Sequence, residues 1–180
     1  MLKKIVVIGP ESTGKSSLCS LLAKHFNCLW CEEYARAYLL QNGTNYSFEN
    51  LATIANGQLL LEDEYTKIAT KANHNFLILD TDMYVMKVWC DFVFKKVHSF
   101  IDEEILKRKY DLYLLCDTDI PWVKDELREY PDLNTRQKLF DIYHHILKNQ
   151  TTPFVIINGN YEQRLQKAIL SIQKIAFKKF

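Results

Sequence analysis

The chain has 180 residues, of which 48% are hydrophobic and 25% charged, and its formal net charge is +1. This composition is ordinary for a globular domain, and so small a charge favours neither nucleic acid nor a membrane surface as a partner. The five cysteines make an odd number, which argues against a disulfide framework, and no apolar run approaches the roughly 20 residues of a membrane-spanning helix.

Short apolar runs alternate with helical patterns, which predicts one α/β domain over residues 1–180. Because no apolar run is long enough for a signal peptide or a membrane span, we expect this domain to be cytoplasmic. Strands are predicted at residues 4–8, 28–31, 76–79, 111–116 and 154–157. Helices are predicted over 18–26, 51–72, 83–96, 102–109, 135–148 and 161–174. Ser47 is expected to cap the second helix, Gly57 within it to mark close packing, and the basic sequence IAFKKF to end the last helix.

This order of elements predicts a doubly wound, mainly parallel five-stranded sheet with helices on both faces. The strands are apolar throughout, as is typical of parallel strands that are covered on both sides. In such sheets ligands bind at the carboxyl ends of the strands, so the loops after residues 8, 31, 79, 116 and 157 should converge on the site.

The sequence GPESTGKS, residues 9–16, stands between the first strand and the first helix. It matches G-x-x-x-x-G-K-[ST], in which glycines let the backbone curl and turn its N–H groups towards a polyphosphate. The lysine supplies charge to the terminal phosphates, and the serine supplies a hydroxyl to Mg²⁺. We therefore predict a site for ATP and Mg²⁺. Its predicted nucleotide contacts are Gly9, Glu11, Ser12, Thr13, Gly14, Lys15, Ser16, Ser17 and, after the last strand, Asn158.

The loop alone does not define a reaction. The D-x-x-G and N-K-x-D motifs of switch GTPases do not occur, and neither does the signature segment of a transporter ATPase. A small-molecule kinase fits the length better. A kinase of a nucleoside or another small metabolite, and an ATP-binding regulatory module with little or no turnover, are both compatible with the motif.

Carboxylates follow two of the predicted strands. Asp80 and Asp82 end the sequence FLILDTD, where a spacing of two directs both side chains to the same side. Asp80 is expected at the metal, whereas Asp82 faces the acceptor hydroxyl, caps the next helix, or does both. In CEEYAR, Glu33 could orient the acceptor hydroxyl and Arg36 could bind the acceptor, unless this segment is simply a solvated helix start.

Residues 117–137 are polar, contain two prolines and predict a mobile lid before a helix. Arg128 and Arg136 in this segment could stabilise charge on the transferring phosphate, with an exposed charged loop as the alternative. Trp89 either belongs to the core or offers its face to a planar cationic ring, and Trp122 and Tyr34 are weaker candidates for that contact. The predicted catalytic residues are Lys15, Glu33, Asp80, Asp82, Arg128 and Arg136.

The segments GPESTGKSSL, EEYARAYL, IANGQLLLED, LDTDMYVMKVW and YDLYLLCDTDIPWVKDELREYPD resemble the ribosylnicotinamide kinase domain of NadR-type NAD-biosynthesis proteins, over about residues 4–170. The resemblance implies transfer of the terminal phosphate of ATP to the 5′-hydroxyl of nicotinamide riboside. It implies that Lys15 and Ser16 hold ATP and Mg²⁺, that Asp80 lies at the metal, and that Trp89 contacts the cationic nicotinamide. The EEYAR and LDTD carboxylates would face the ribose.

Some members of that family carry an adenylyltransferase domain, and some a DNA-binding domain. Because the first strand follows Met1 so closely, we expect neither domain in this chain. The expected product is then the mononucleotide, with no further step to NAD and no repressor activity.

Overall fold

In the computed structural model, which describes residues 2–176, five strands alternate with seven helices. The strands are β1 Lys3–Ile8, β2 Leu29–Cys31, β3 Phe76–Asp80, β4 Leu112–Cys116 and β5 Phe154–Ile157. They form one sheet in the order β2-β3-β1-β4-β5, and every neighbouring pair is parallel. The predicted doubly wound parallel sheet is confirmed.

The helices of the described chain connect these strands. They are α1 Lys15–Phe26, α2 Tyr34–Asn42, α3 Phe48–Lys71, α4 Met83–Phe94, α5 Ser99–Lys107, α6 Leu133–Lys148 and α7 Tyr161–Ala176. Ser47 caps α3 as predicted, since its side chain accepts from the Asn50 N–H while the Asn50 side chain accepts from the Ser47 N–H. Helix α2 was not predicted. The part of IAFKKF in residues 177–180 lies outside the described residues.

Alternate residues of each strand pack on opposite faces of the sheet. On β1, Ile5 and Val7 face α1 and α7, whereas Val6 and Ile8 face the side covered by α3, α4 and α6. This two-sided burial is the physical reason for the uninterrupted apolar strands. A third apolar cluster lies between α2, α3, α4 and α5, away from the sheet.

The strand order places the predicted site at the carboxyl end of β1. Strand β1 lies between β3 and β4, so the chain reverses its direction of winding at this strand, and such a reversal opens a crevice. Val7 of β1 pairs with Asp80 of β3, and Ile8 pairs with Leu115 of β4. The loop after β1 is therefore flanked by the ends of both neighbouring strands.

None of the helices in residues 2–176 is long and apolar enough to cross a membrane. All five cysteines are free thiols, and four of them are buried.

Gly57, in the middle of α3, allows α2 to pack against α3. A Cβ at this position would overlap the ring of Tyr34, whose backbone N–H donates to Gln58 Oε1 at 2.8 Å. The predicted close packing at Gly57 is confirmed. We expect Gly57→Ala to destabilise the protein by about 1–2 kcal/mol, because the steric cost exceeds the gain of about 1 kcal/mol in helix propensity.

Urea unfolding measures this change in free energy. Asn56→Ala is the matched control. Asn56 is exposed on the same turn of α3, so alanine at this position also raises helix propensity but meets no clash. An equal gain in stability in both variants would contradict the packing role of Gly57.

Candidate active site

The loop between β1 and α1 adopts the curled conformation that its glycines permit. Gly9 has φ 141°, and a Cβ there would lie 2.6 Å from the Cys116 carbonyl oxygen. Gly14, with φ 76°, is the N-cap of α1. Thr13 Oγ1 and Lys15 Nζ donate to the Pro10 carbonyl at 2.7 and 2.9 Å, so both side chains fold back over the loop. The N-terminus of α1 and the Lys15 ammonium thus face the same concave surface, which suits a polyphosphate.

Arg164 of α7 holds this loop in place, and this role was not predicted from the sequence. Its guanidinium is buried and donates to the carbonyls of Thr13 at 3.0 Å, Gly159 at 2.8 Å and Asp117 at 3.0 Å, and it also pairs with Asp119. One side chain therefore joins the phosphate loop to the ends of β4 and β5. A single arginine in an amphipathic helix gives no sequence signal for such a role.

Asp80 lies at the end of β3, beside the phosphate loop. The residue is 1% exposed, and neither carboxylate oxygen has a hydrogen-bond partner in the described chain. Burial raises the pKa of Asp80 well above its usual value, and Glu33 raises it further, whereas Lys15 and Ser16 oppose the shift. A buried carboxylate without partners is costly, so these two oxygens are available to a ligand.

The donor set at Asp80 fits a magnesium ion. No group of three or more His, Cys, Asp or Glu residues in residues 2–176 could hold a metal by itself. Mg²⁺, however, usually takes one or two protein oxygens and completes its shell with phosphate and water. The unpaired oxygens of Asp80 and the hydroxyl of Ser16 are donors of that kind.

Asp82 is the N-cap of α4. Its Oδ1 accepts from the N–H groups of Tyr84 and Val85 at 3.0 and 3.4 Å, and its Oδ2 accepts from the Tyr113 hydroxyl at 2.7 Å. Burial raises the pKa of Asp82 to about 7 against these hydrogen bonds. Of the roles considered for Asp82, the structure shows the cap, and the second carboxylate oxygen is held by Tyr113 of β4.

A cavity of about 230 Å³ opens above the phosphate loop. Its floor is the loop itself, and its walls come from the start of α2, the side of α4 and α6, and the segment before α6. Trp89 is on this wall, and its indole N–H donates to the Tyr46 hydroxyl at 2.9 Å while the two rings meet edge to face. Trp89 also packs against the third apolar cluster, so its two proposed roles are compatible.

Glu33 and Arg36, the two site candidates of the CEEYAR segment, line the cavity together with Ala35. Glu33 precedes the first residue of α2 and makes no side-chain cap bond, and Arg36 pairs with Asp125 at 3.1 Å. Tyr34 is not among the lining residues, because its ring is directed towards Gly57. Asn158 is exposed and accepts from Lys167 at 2.8 Å, also apart from the cavity lining.

The predicted lid is shorter than expected. The segment without helix or strand is residues 117–132, since α6 begins at Leu133. Arg128 lies in this lid and lines the cavity. Arg136 lies instead in α6, where it is 4% exposed and its Nε and Nη1 have no hydrogen-bond partner in the described chain. Glu11 and Ser12, which are predicted nucleotide contacts, line the cavity, and their side chains bond to the lid.

The fold and the phosphate loop define a P-loop domain. Residues 4–164 match a family model described as an AAA domain, and the chain belongs to that family. Among curated proteins, it matches the "Trifunctional NAD biosynthesis/regulator protein NadR" of Salmonella typhimurium and of Escherichia coli, with 24% and 25% identity over 97% of this chain. The chain spans 43% of the length of each of these relatives. The resemblance to NadR-type proteins is therefore confirmed.

Solved structures agree on the fold. A NadR crystal structure in complex with NR has a TM-score of 0.81 at 24% identity, and one in complex with NAD and AMP-PNP has 0.74 at 23%. Each similarity covers 99% of this chain and 50% of that structure. Thymidylate kinase from Ehrlichia chaffeensis, at 14% identity, has a TM-score of 0.68 and is covered over 98% of its length. The chain therefore shares the fold of these P-loop proteins.

Proposed function

We propose that this protein transfers the terminal phosphate of ATP to the 5′-hydroxyl of nicotinamide riboside and so forms nicotinamide mononucleotide. The observation that carries the proposal is that one cavity has the phosphate loop as its floor and Trp89 with Tyr46 in its wall. A phosphate donor and a planar acceptor would thus meet in a single enclosed space. The similarity to NadR, one structure of which is in complex with NR, supports this choice of acceptor.

On the donor side, the backbone of residues 9–16 and the Lys15 ammonium would hold the triphosphate. Ser16 and Asp80 would hold Mg²⁺, which, when bound, neutralises charge on the phosphate oxygens. The unpaired Asp80 carboxylate supports this assignment, because a cation would remove the cost of burying it.

Arg136 and Arg128 would contribute positive charge to the transferring group. The buried guanidinium of Arg136 has two donors without partners, which supports an anionic ligand in its vicinity. Arg128 lies over the cavity in the lid. Phosphoryl transfer depends mainly on alignment and on charge stabilisation, and both arginines would serve the second requirement.

On the acceptor side, Glu33 would orient the 5′-hydroxyl. It lines the cavity close enough to Asp80 to raise the pKa of that carboxyl, so it stands near the proposed metal. Trp89 would contact the cationic nicotinamide ring, a desolvated cation–π interaction worth about 2 kcal/mol. The neutral rings of other nucleosides would lack this contribution.

An acceptor screen with labelled ATP and Mg²⁺ tests the proposal. Nicotinamide riboside, uridine, cytidine and adenosine are compared at equal concentration, and we expect kcat/KM for nicotinamide riboside to exceed the others by at least about tenfold. The similarity to thymidylate kinase makes a kinase of another nucleoside the second candidate. Preferential transfer to another nucleoside would establish that candidate, and ATP binding without transfer to any acceptor would favour a regulatory module.

A further inference from the structure

The side chain of Glu11, within the phosphate loop, is bound entirely to the lid. Its Oε1 accepts from the Tyr130 N–H at 2.7 Å and from the Trp122 indole N–H at 3.3 Å, and its Oε2 accepts from the Glu129 N–H at 2.9 Å. Three donors of the lid therefore converge on one carboxylate. Hydrogen bonds to an ionised acceptor are stronger than those between neutral groups, so these three bonds contribute substantially to holding the lid in place.

Ser12, the next residue of the loop, also binds the lid through its side chain. Its Oγ accepts from the Val123 N–H at 2.9 Å and from Arg128 Nη1 at 3.3 Å, and Arg128 also donates to the Val123 carbonyl. Ser12 has φ 56°, a left-handed conformation that is uncommon for serine. Two consecutive residues of the phosphate loop, Glu11 and Ser12, thus contact different residues of the lid.

The lid in turn reaches the wall of the cavity. The carboxylate of Glu129 accepts from the Tyr46 hydroxyl at 2.9 Å, and Tyr46 accepts from the Trp89 indole N–H. A connected path of hydrogen bonds therefore runs from Glu11 through the lid to the aromatic wall. The charge of Glu11 would oppose a direct contact with a polyphosphate, whereas the lid offers this carboxylate three N–H donors.

From this arrangement we propose that Glu11 is a latch, a positioning residue that holds the lid closed over the site and sets Arg128 and Glu129 in place. Glu11 and Ser12 act as the docking point for the lid, and their side chains are not ligands of the phosphates. The latch concerns the closed state of the lid in the free protein, so it does not depend on which acceptor the enzyme uses.

Amide hydrogen exchange, measured by NMR on the free protein, tests the latch. The informative amide is that of Val123, because it is bonded to Ser12 and not to Glu11. If Glu11 holds the whole lid, Glu11→Ala should speed Val123 exchange by about tenfold or more, since loss of three hydrogen bonds to a carboxylate favours local opening. A purely local contact would change only Glu129 and Tyr130, and unchanged Val123 exchange would overturn the proposal.

Three further measurements complete the test. Glu126→Ala, which removes an exposed carboxylate of the same lid, should leave Val123 exchange within about twofold of the wild type. Exchange at Ile54, in the buried core of α3, reports global stability, and Val123 must accelerate more than Ile54. Glu11→Gln retains one acceptor oxygen and should give an intermediate rate, and a rate as fast as that of Glu11→Ala would contradict the latch. Failure of the acceptor screen would leave these outcomes unaffected.

Discussion

Replacement of Lys15 by alanine is expected to lower kcat by about 100- to 1000-fold while the fold is retained. Its ammonium makes one hydrogen bond, to the Pro10 carbonyl, and forms no ion pair with the described residues, so its removal breaks no salt bridge. Loss of a preorganised charge at the transferring phosphate costs about 3–4 kcal/mol in the transition state. Steady-state phosphate transfer and urea unfolding measure the two effects separately.

Lys24→Ala is the matched control for Lys15→Ala. Lys24 is an exposed lysine in the last turn of the same helix, α1, so its replacement changes net charge and helix composition equally. The control should retain its turnover within about twofold. Near-normal turnover in Lys15→Ala would disprove the phosphate-loop mechanism, and a large loss of stability would show that Lys15 serves the fold.

Much of the architecture follows from local sequence because its signals are local. The five strands are short and apolar on both faces, and all five were predicted to within one residue at either end. The phosphate loop is likewise defined by its own glycines and by the elements on either side. Parallel pairing then places Asp80 beside β1 without any further information.

Features that depend on tertiary contacts could not be predicted from local sequence in the same way. Helix α2 has little amphipathic pattern of its own, and it is held by the Tyr34–Gly57 contact and by burial of Ala35 and Leu39. Arg136 was assigned to the lid because the predicted lid, residues 117–137, overlapped the predicted helix over 135–148, whereas α6 begins at Leu133. Its position in α6 follows from the Asp132 cap, whose side chain accepts from the Thr135 N–H at 2.7 Å.

The direction of a side chain was the least predictable property of the site. Glu11 lies inside a motif whose backbone binds phosphate, so the sequence favoured a nucleotide contact. The donors that it meets belong to residues 111 to 119 positions later in the chain, which no local pattern reveals. The same holds for Arg164, which joins three loops that are distant in sequence.

Asp80 and Asp82 are expected to respond to substitution in opposite ways, although they are two residues apart. Asp80→Asn should lower kcat by at least about 100-fold and raise the Mg²⁺ concentration required for half-maximal rate, because an amide is a poorer ligand for Mg²⁺. Its stability should not fall, since the carboxylate that it removes is buried without a hydrogen-bond partner. Turnover is measured over a range of Mg²⁺ concentrations.

Asp82→Ala should show the reverse pattern, with a loss of about 3 kcal/mol in the free energy of unfolding and kcat within a few fold of the wild type. The loss combines the cap of α4 with the Tyr113 hydroxyl, which would be left buried without its acceptor. Asp82→Asn is the control, because its Oδ1 can still cap the helix, and it should lose less stability. Since both carboxylates lie at the carboxyl end of β3 and are buried, only their partners distinguish them. A large loss of turnover in the folded Asp82→Asn protein would return Asp82 to the acceptor site and refute the division of roles between the two.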